Sequence, residues 1–225
     1  LAWAGEEGVA VHGYADVLSG TSSDSTPETQ RLRGLSLGNI DLVFAPQFQG
    51  KTRAFAEIVY EPTAATGEMK VDLERAQLGY AFGGLTAWAG RFQTPLGYWN
   101  TLSGHGGEEQ LTILRPRFLD FSDRGGVMPV RTVGIWAHGA EHVGEAGKFI
   151  YDLFATNGAR ITGYDSTTSP ATLGSLDDNL SKSDSSGLFG GALAFDFEQP
   201  GLSGLRLGVH AVGGTVRAYS SSTYA

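Results

Sequence analysis

Stretches of alternating apolar and polar residues, joined by connections that are tight in some places and long in others, constrain this chain more than any other feature. Period-2 alternation runs through residues 9–17, 39–48, 52–61, 73–82, 86–93, 132–138, 148–156, 188–197 and 205–212. Successive side chains of an extended strand point to opposite faces, so each stretch predicts a strand with one apolar and one polar face. The connections 49–51, 83–85 and 198–204 are compact, whereas 18–38, 94–131 and 157–187 are long. Short turns at one end of an antiparallel sheet and long loops at the other is the plan of a transmembrane β-barrel. The expected fold is therefore all-β, an antiparallel transmembrane barrel. A soluble β-sandwich explains the alternation, because its apolar faces meet each other, but it does not explain the asymmetry of the connections.

Composition is consistent with that plan. No stretch approaches the roughly 18 consecutive apolar residues of a membrane-spanning helix. A barrel needs none, because only alternate residues face lipid. The net charge is −8 with only four lysines, Lys51, Lys70, Lys148 and Lys182, and no basic patch is interleaved with aromatics. Nucleic acid is thus excluded as an expected partner. With no cysteine there is neither a disulfide framework nor a thiolate metal site.

Two turns allow registers to be written down. A three-residue hairpin at Gln49-Gly50-Lys51 sets Phe44 against Ala56, Leu42 against Ile58 and Ile40 against Tyr60 on an uncharged face. The other face then carries Gln47 against Arg53, Val43 against Glu57 and Asp41 against Val59. A similar hairpin at Gly83-Gly84-Leu85 sets Tyr80 against Trp88 and Ala76 against Phe92 on the apolar face. It sets Arg75 against Gln93 and Gln77 against Arg91 on the polar one. Further along, Phe149, Tyr151, Leu153 and Ala155 face out, with Lys148, Asp152 and Thr156 inward. Leu205, Leu207, Val209 and Ala211 face out, with Arg206 and His210 inward. Phe48, Tyr80, Phe82, Phe195 and Phe197 collect beside the short turns, where an interfacial girdle would lie.

These registers nominate Glu57, Arg53, Arg75, Gln77, Arg91, Gln93 and Arg206 as pore-lining residues. The connection 94–131 is the candidate constriction loop. It carries Glu108, Glu109, Asp120 and Asp123 beside Arg115, Arg117 and Arg124. Leu111, Ile113, Leu114, Phe118, Leu119 and Phe121 run through it, and a fully solvated loop would gain nothing from them. Such side chains suit a loop folded into the lumen, as loops of this length are usually functional. Nine strands is an odd count, and residues 220–225 read as the start of another loop. The expectation is a single barrel domain over residues 1–225 that supplies nine or ten strands of a barrel continuing C-terminally. Bacterial single-chain barrels have even counts.

Gly90-Arg-Phe-Gln-Thr-Pro-Leu-Gly97, at the end of a strand and entering a long loop, resembles the porin superfamily of Gram-negative outer membranes. Within it, the chain looks most like the branch of the phosphate-selective porins O and P, through Gly90, Phe92, Pro95 and Gly97. Tyr98-Trp99-Asn100 and Arg115-Pro-Arg-Phe-Leu-Asp-Phe121 look like uncharacterised porin-like relatives. The resemblance implies an outer-membrane barrel of about 16 strands, a homotrimer, with a loop-narrowed pore for passive diffusion of small hydrophilic solutes or ions. The partners it implies are the lipid bilayer, lipopolysaccharide and those solutes, and it implies no cofactor. Phosphate selectivity does not carry over, because it depends in the family on an arginine ladder and a lysine cluster, and this chain is poor in lysine.

The expectation is no enzyme, since no Gly-x-Ser-x-Gly elbow or other nucleophile signature is present. His105 with Glu108 and Glu109 lacks a second histidine at metal-site spacing. Asp177-Asp178-Asn179 with Asp184 does not follow the order of a calcium loop. His12, His138 and His210 fall on polar faces of strands. The alternative function is a structural barrel that sheathes a partner such as a cytochrome conduit, or presents loops for adhesion.

Overall fold

The computed structural model describes residues 8–20, 34–48, 50–62, 68–97, 100, 130–158, 160–164, 176–177, 187–215 and 217–220. Nine strands form one antiparallel sheet: β1 (Gly8–Gly20), β2 (Gly34–Gln47), β3 (Thr52–Pro62), β4 (Met69–Phe82), β5 (Leu85–Gln93), β6 (Arg131–Val143), β7 (Gly147–Asn157), β10 (Gly187–Phe197) and β11 (Arg206–Gly214). Their order in the sheet follows the chain, β1-β2-β3-β4-β5-β6-β7-β10-β11. Every alternating stretch of the sequence is a strand of this sheet. The sheet is open, with β1 and β11 at its edges. A smaller sheet of β8 (Arg160–Tyr164), β9 (Leu176–Asp177) and β12 (Arg217–Ser220) sits beyond the ends of β7 and β11. There β8 and β12, the continuations of two strands that flank β10, pair directly and in parallel.

The meander places β2–β3, β4–β5, β6–β7 and β10–β11 turns at one end of the sheet. The connections 21–33, 63–68, 94–130 and 158–186 are at the other. One further tight turn thus joins those read from the sequence, at 144–146, where Ala146 N donates to Val143 O at 3.1 Å.

The β2–β3 hairpin has the register expected from its turn, with Ile40 opposite Tyr60, Val43 opposite Glu57 and Gln47 opposite Arg53. The β4–β5 hairpin does not. Its turn is the two residues Gly83-Gly84, with Phe82 opposite Leu85, Gly79 opposite Trp88 and Ala76 opposite Arg91. Gly83 takes the positive φ, +67°, that a two-residue hairpin needs, so Leu85 enters the strand rather than the turn. The expected pairs of Arg75 with Gln93 and Gln77 with Arg91 are therefore corrected. Trp88 and Phe92 move from the apolar to the polar side, and Phe92 becomes fully buried.

What rewards that register is a row of aromatic rings. Gly79, Trp88, Trp136, Phe154 and Gly190 are successive cross-strand neighbours from β4 to β10. Trp88 lies over Gly79 and Phe154 over Gly190, where a Cβ would collide with the ring. Trp88 and Trp136 stack at 6.3 Å between centroids. Glycine in a strand leaves a hole in the side-chain layer, and an aromatic neighbour fills it.

Two bulges re-phase the strands. On β4, Glu57 of β3 faces Arg75 while the next pair is Ile58 with Leu73, so Glu74 is the extra residue. On β2, the register slips opposite Asp16, whose carboxylate accepts the Asn39 N–H. Both slips are written in the sequence as two phases of apolar residues, Val71 and Leu73 followed by Ala76 and Leu78, and Leu35 and Leu37 followed by Ile40 and Leu42.

Candidate functional site: the polar face of the sheet

The sheet inverts the usual distribution of charge and hydrocarbon. One face carries exposed large apolar side chains from edge to edge: Val11 and Leu37, Leu78 and Ile135, Leu153 at 65% and Val209 at 70% exposure. Beside the short turns that face ends in aromatic pairs, Tyr80 with Phe82 at 4.8 Å, Phe149 with Tyr151 at 6.2 Å and Phe195 with Phe197 at 4.9 Å. Buried side chains, in contrast, include Asp41, Glu57, Glu74, Arg91, Arg131 and Asp152. Taking a charge out of water is costly unless it is paired and hydrogen-bonded, so these groups reveal what they pair with.

Towards the long-connection end, Glu57 pairs with Arg75 across the β3–β4 register. The Arg75 guanidinium also lies 4.2 Å from the centre of the Phe55 ring, within cation–π range. Glu74, the bulge residue, pairs with Arg131 of β6, and its backbone carbonyl accepts the Arg91 Nε–H at 3.0 Å. Asp41 on β2 adds a third buried carboxylate to this region. Three carboxyl groups and three guanidiniums therefore gather there.

Below this cluster, Asp152 Oδ1 accepts the Trp136 Nε1–H at 2.9 Å and contacts His138 Nδ1 at 2.8 Å. Near the short turns, Arg206 grips the Asp196 carboxylate with both Nε and Nη2. Lys148 stands beside Asp196 in register. A cavity of about 390 Å³ runs along this face, with Arg75, Gln77, Gln93, His138, Asp152 and Arg206 in its wall.

The nominated residues divide as follows. Glu57, Arg75, Gln77, Gln93 and Arg206 belong to the cluster or the cavity wall just described. Arg53 is exposed, its Nη1 donating to the carbonyls of Gly50 and Thr52 beside the turn. Arg91 is buried against Glu74, but register pairs it with Ala76 and Val133, in the opposite phase from Arg75. Glu108, Glu109, Arg115, Arg117, Asp120, Asp123 and Arg124 lie outside the described residues. Glu74 and Arg131 were not singled out from the sequence, although the adjacent charges Glu74-Arg75 in an alternating strand signal the bulge that brings them together.

The two ends of the connection 94–130 are stitched to each other. Thr94 N donates to Val130 O at 2.9 Å, and Asn100 Nδ2 donates to Thr94 O at 2.6 Å and to Val130 O at 2.9 Å. From there the chain turns onto the polar face. Leu96 is buried in one cluster with Phe92, Phe154 and Leu188, which belong to β5, β7 and β10. A Cβ at Gly97 would lie 3.9 Å from His210 Cε1 of β11. Compared with known proteins, the chain matches no protein-family model and no curated protein.

Proposed function

We propose that this chain is part of the wall of an outer-membrane β-barrel, and that the barrel is a pore for passive diffusion of small hydrophilic solutes or ions. The observation that carries the reading is the inversion of the sheet: hydrocarbon exposed on one face, charges and polar groups on the other. A soluble sheet with that apolar face uncovered is an aggregation hazard. Against acyl chains it is at home, with the aromatic pairs beside the short turns at one membrane interface. In this reading the open edges of the sheet are completed by further strands to a barrel of about 16. The short turns face the periplasm.

The resemblance of Gly90, Phe92, Pro95 and Gly97 to the porin superfamily, in the branch of the porins O and P, agrees with that reading. So does the path of residues 94–97 over the polar face, which suits a constriction loop folded into the lumen. A sheath around a partner polypeptide would need that space clear. Homotrimer formation and contact with lipopolysaccharide are expected on the same resemblance and are tested by chemical cross-linking in native membranes. The deciding experiment is a planar bilayer recording with the full-length protein. Stepwise conductance is expected, and its absence from well-folded protein would sink the pore.

A further inference from the structure

The chain that follows β5 is held in place by an unusually specific set of bonds. Thr94 N donates to Val130 O at 2.9 Å and so extends the β5–β6 ladder by one pair. There the chain reverses: Leu96 N donates back to Thr94 O at 2.7 Å, a three-residue turn. Leu96 then roofs Phe92, Phe154 and Leu188, an apolar island on the polar face. Gly97, at φ +73°, comes beside His210 of β11. Within four residues the chain has thus passed over β7 and β10 to β11. Asn100 closes this crossing. Its Nδ2 donates to Thr94 O at 2.6 Å and to Val130 O at 2.9 Å, and the residue is buried. Both partners are carbonyls, so only the amide nitrogen can face them. The base is itself anchored, since Arg131, next to Val130, pairs with Glu74.

We infer that Asn100 is a positioning residue of the lumen: its carboxamide pins residues 94–97 across the polar face and thereby sets the cross-section of the passage. The inference rests on the pore reading, since it names what holds the narrowing of the same lumen. Leu96 contributes apolar burial, which is non-directional and is satisfied by more than one placement on the island. The carboxamide is directional. Two donors on one nitrogen tie the two chains of the base at one point. Each of those carbonyls also accepts a backbone N–H, so the carboxamide adds geometry rather than rescuing an unpaired group. Its loss therefore loosens the crossing locally and leaves the sheet folded. Phe92 and Gln93, at the foot of the crossing, line the cavity of about 390 Å³ on this face, so a shift of the crossing changes the space open to solutes.

Two variants of the full-length protein test it: Asn100→Ala, which removes both donors, and Asn100→Asp, which keeps the shape and offers acceptors in their place. Two readouts are used. One is single-channel conductance in a planar bilayer, with polyethylene glycols of graded size as blockers. The other is amide hydrogen exchange at Thr94 and Leu96 of the protein folded in detergent micelles. Both variants are expected to exchange about tenfold faster at these two amides. They should conduct about 1.5-fold more and admit larger glycols, because the passage is wider. Thr132→Val removes the hydroxyl 3.4 Å from Thr94 Oγ1 and serves as a purely structural defect in the same neck; conductance and glycol cut-off should stay as they are. Faster exchange with conductance and cut-off unchanged would overturn the assignment, as would exchange unchanged in both Asn100 variants. So would a Thr132→Val protein that matches Asn100→Ala. A wild-type protein that never conducts would sink the pore reading, while faster exchange in the variants would still uphold Asn100 as the pin of the crossing.

Discussion

The two faces of one sheet obey opposite rules. On the apolar face the side chains are large, exposed and largely free of specific partners, as Ile135, Leu153 and Val209 illustrate. On the polar side almost every charge has an identified partner: Glu57 with Arg75, Glu74 with Arg131, Asp152 with Trp136 and His138, Asp196 with Arg206. The difference teaches where specificity resides. An apolar face asks only for apolarity. A buried charge asks for one particular neighbour, and the register must deliver it.

The largest effect is expected where that demand is broken. Glu74→Gln removes the carboxylate that balances the buried Arg131 guanidinium and should destabilise the protein by about 3–5 kcal/mol, because a buried ion pair that loses one charge keeps the desolvation cost of the other. Urea unfolding from lipid vesicles measures it. Glu74→Gln with Arg131→Met should recover much of the loss, and a double variant no better than the single one would show that the pair is not what matters.

Charging the other face comes next. Leu153→Arg should cost about 2–4 kcal/mol in a bilayer if this face meets acyl chains near the midplane. If the face met water, the same change would fall within about 0.5 kcal/mol. Vesicle-folded protein showing the smaller value would break the contrast between the faces and the membrane reading with it.

A smaller loss, about 1–3 kcal/mol, is expected from Gly79→Ala, whose methyl collides with the Trp88 ring. The substitution should become nearly neutral in a Trp88→Ala background, since no ring is then displaced. Equal cost in both backgrounds would place the strain in the backbone of β4.

The smallest effect is electrical. Arg75→Gln leaves the Glu57 carboxylate unbalanced and should move the reversal potential towards cation preference at low ionic strength, where screening is weak. Glu57→Gln with Arg75→Gln removes one charge of each sign and should restore it. A potential indifferent to both variants would reduce the pair to a brace of the wall.

Which residues form strands, and which face most of them serve, could be read from the sequence alone because the period-2 alternation is local. The end of the sheet that holds the tight turns was legible for the same reason, from Gln49-Gly50-Lys51 and Gly83-Gly84. Register is different. It relates two strands, and the β4–β5 slip was decided by a two-residue turn and by Trp88 finding Gly79 across the sheet. The pairing of Glu74 with Arg131 needed more still. It joins residues 57 apart in the chain through a bulge on β4 and an intervening strand, so no local pattern encodes it. Sequence by itself determined the alternation and the chemistry of the two faces. Only the tertiary structure decided which charges meet, because burial leaves a charge no substitute for its partner.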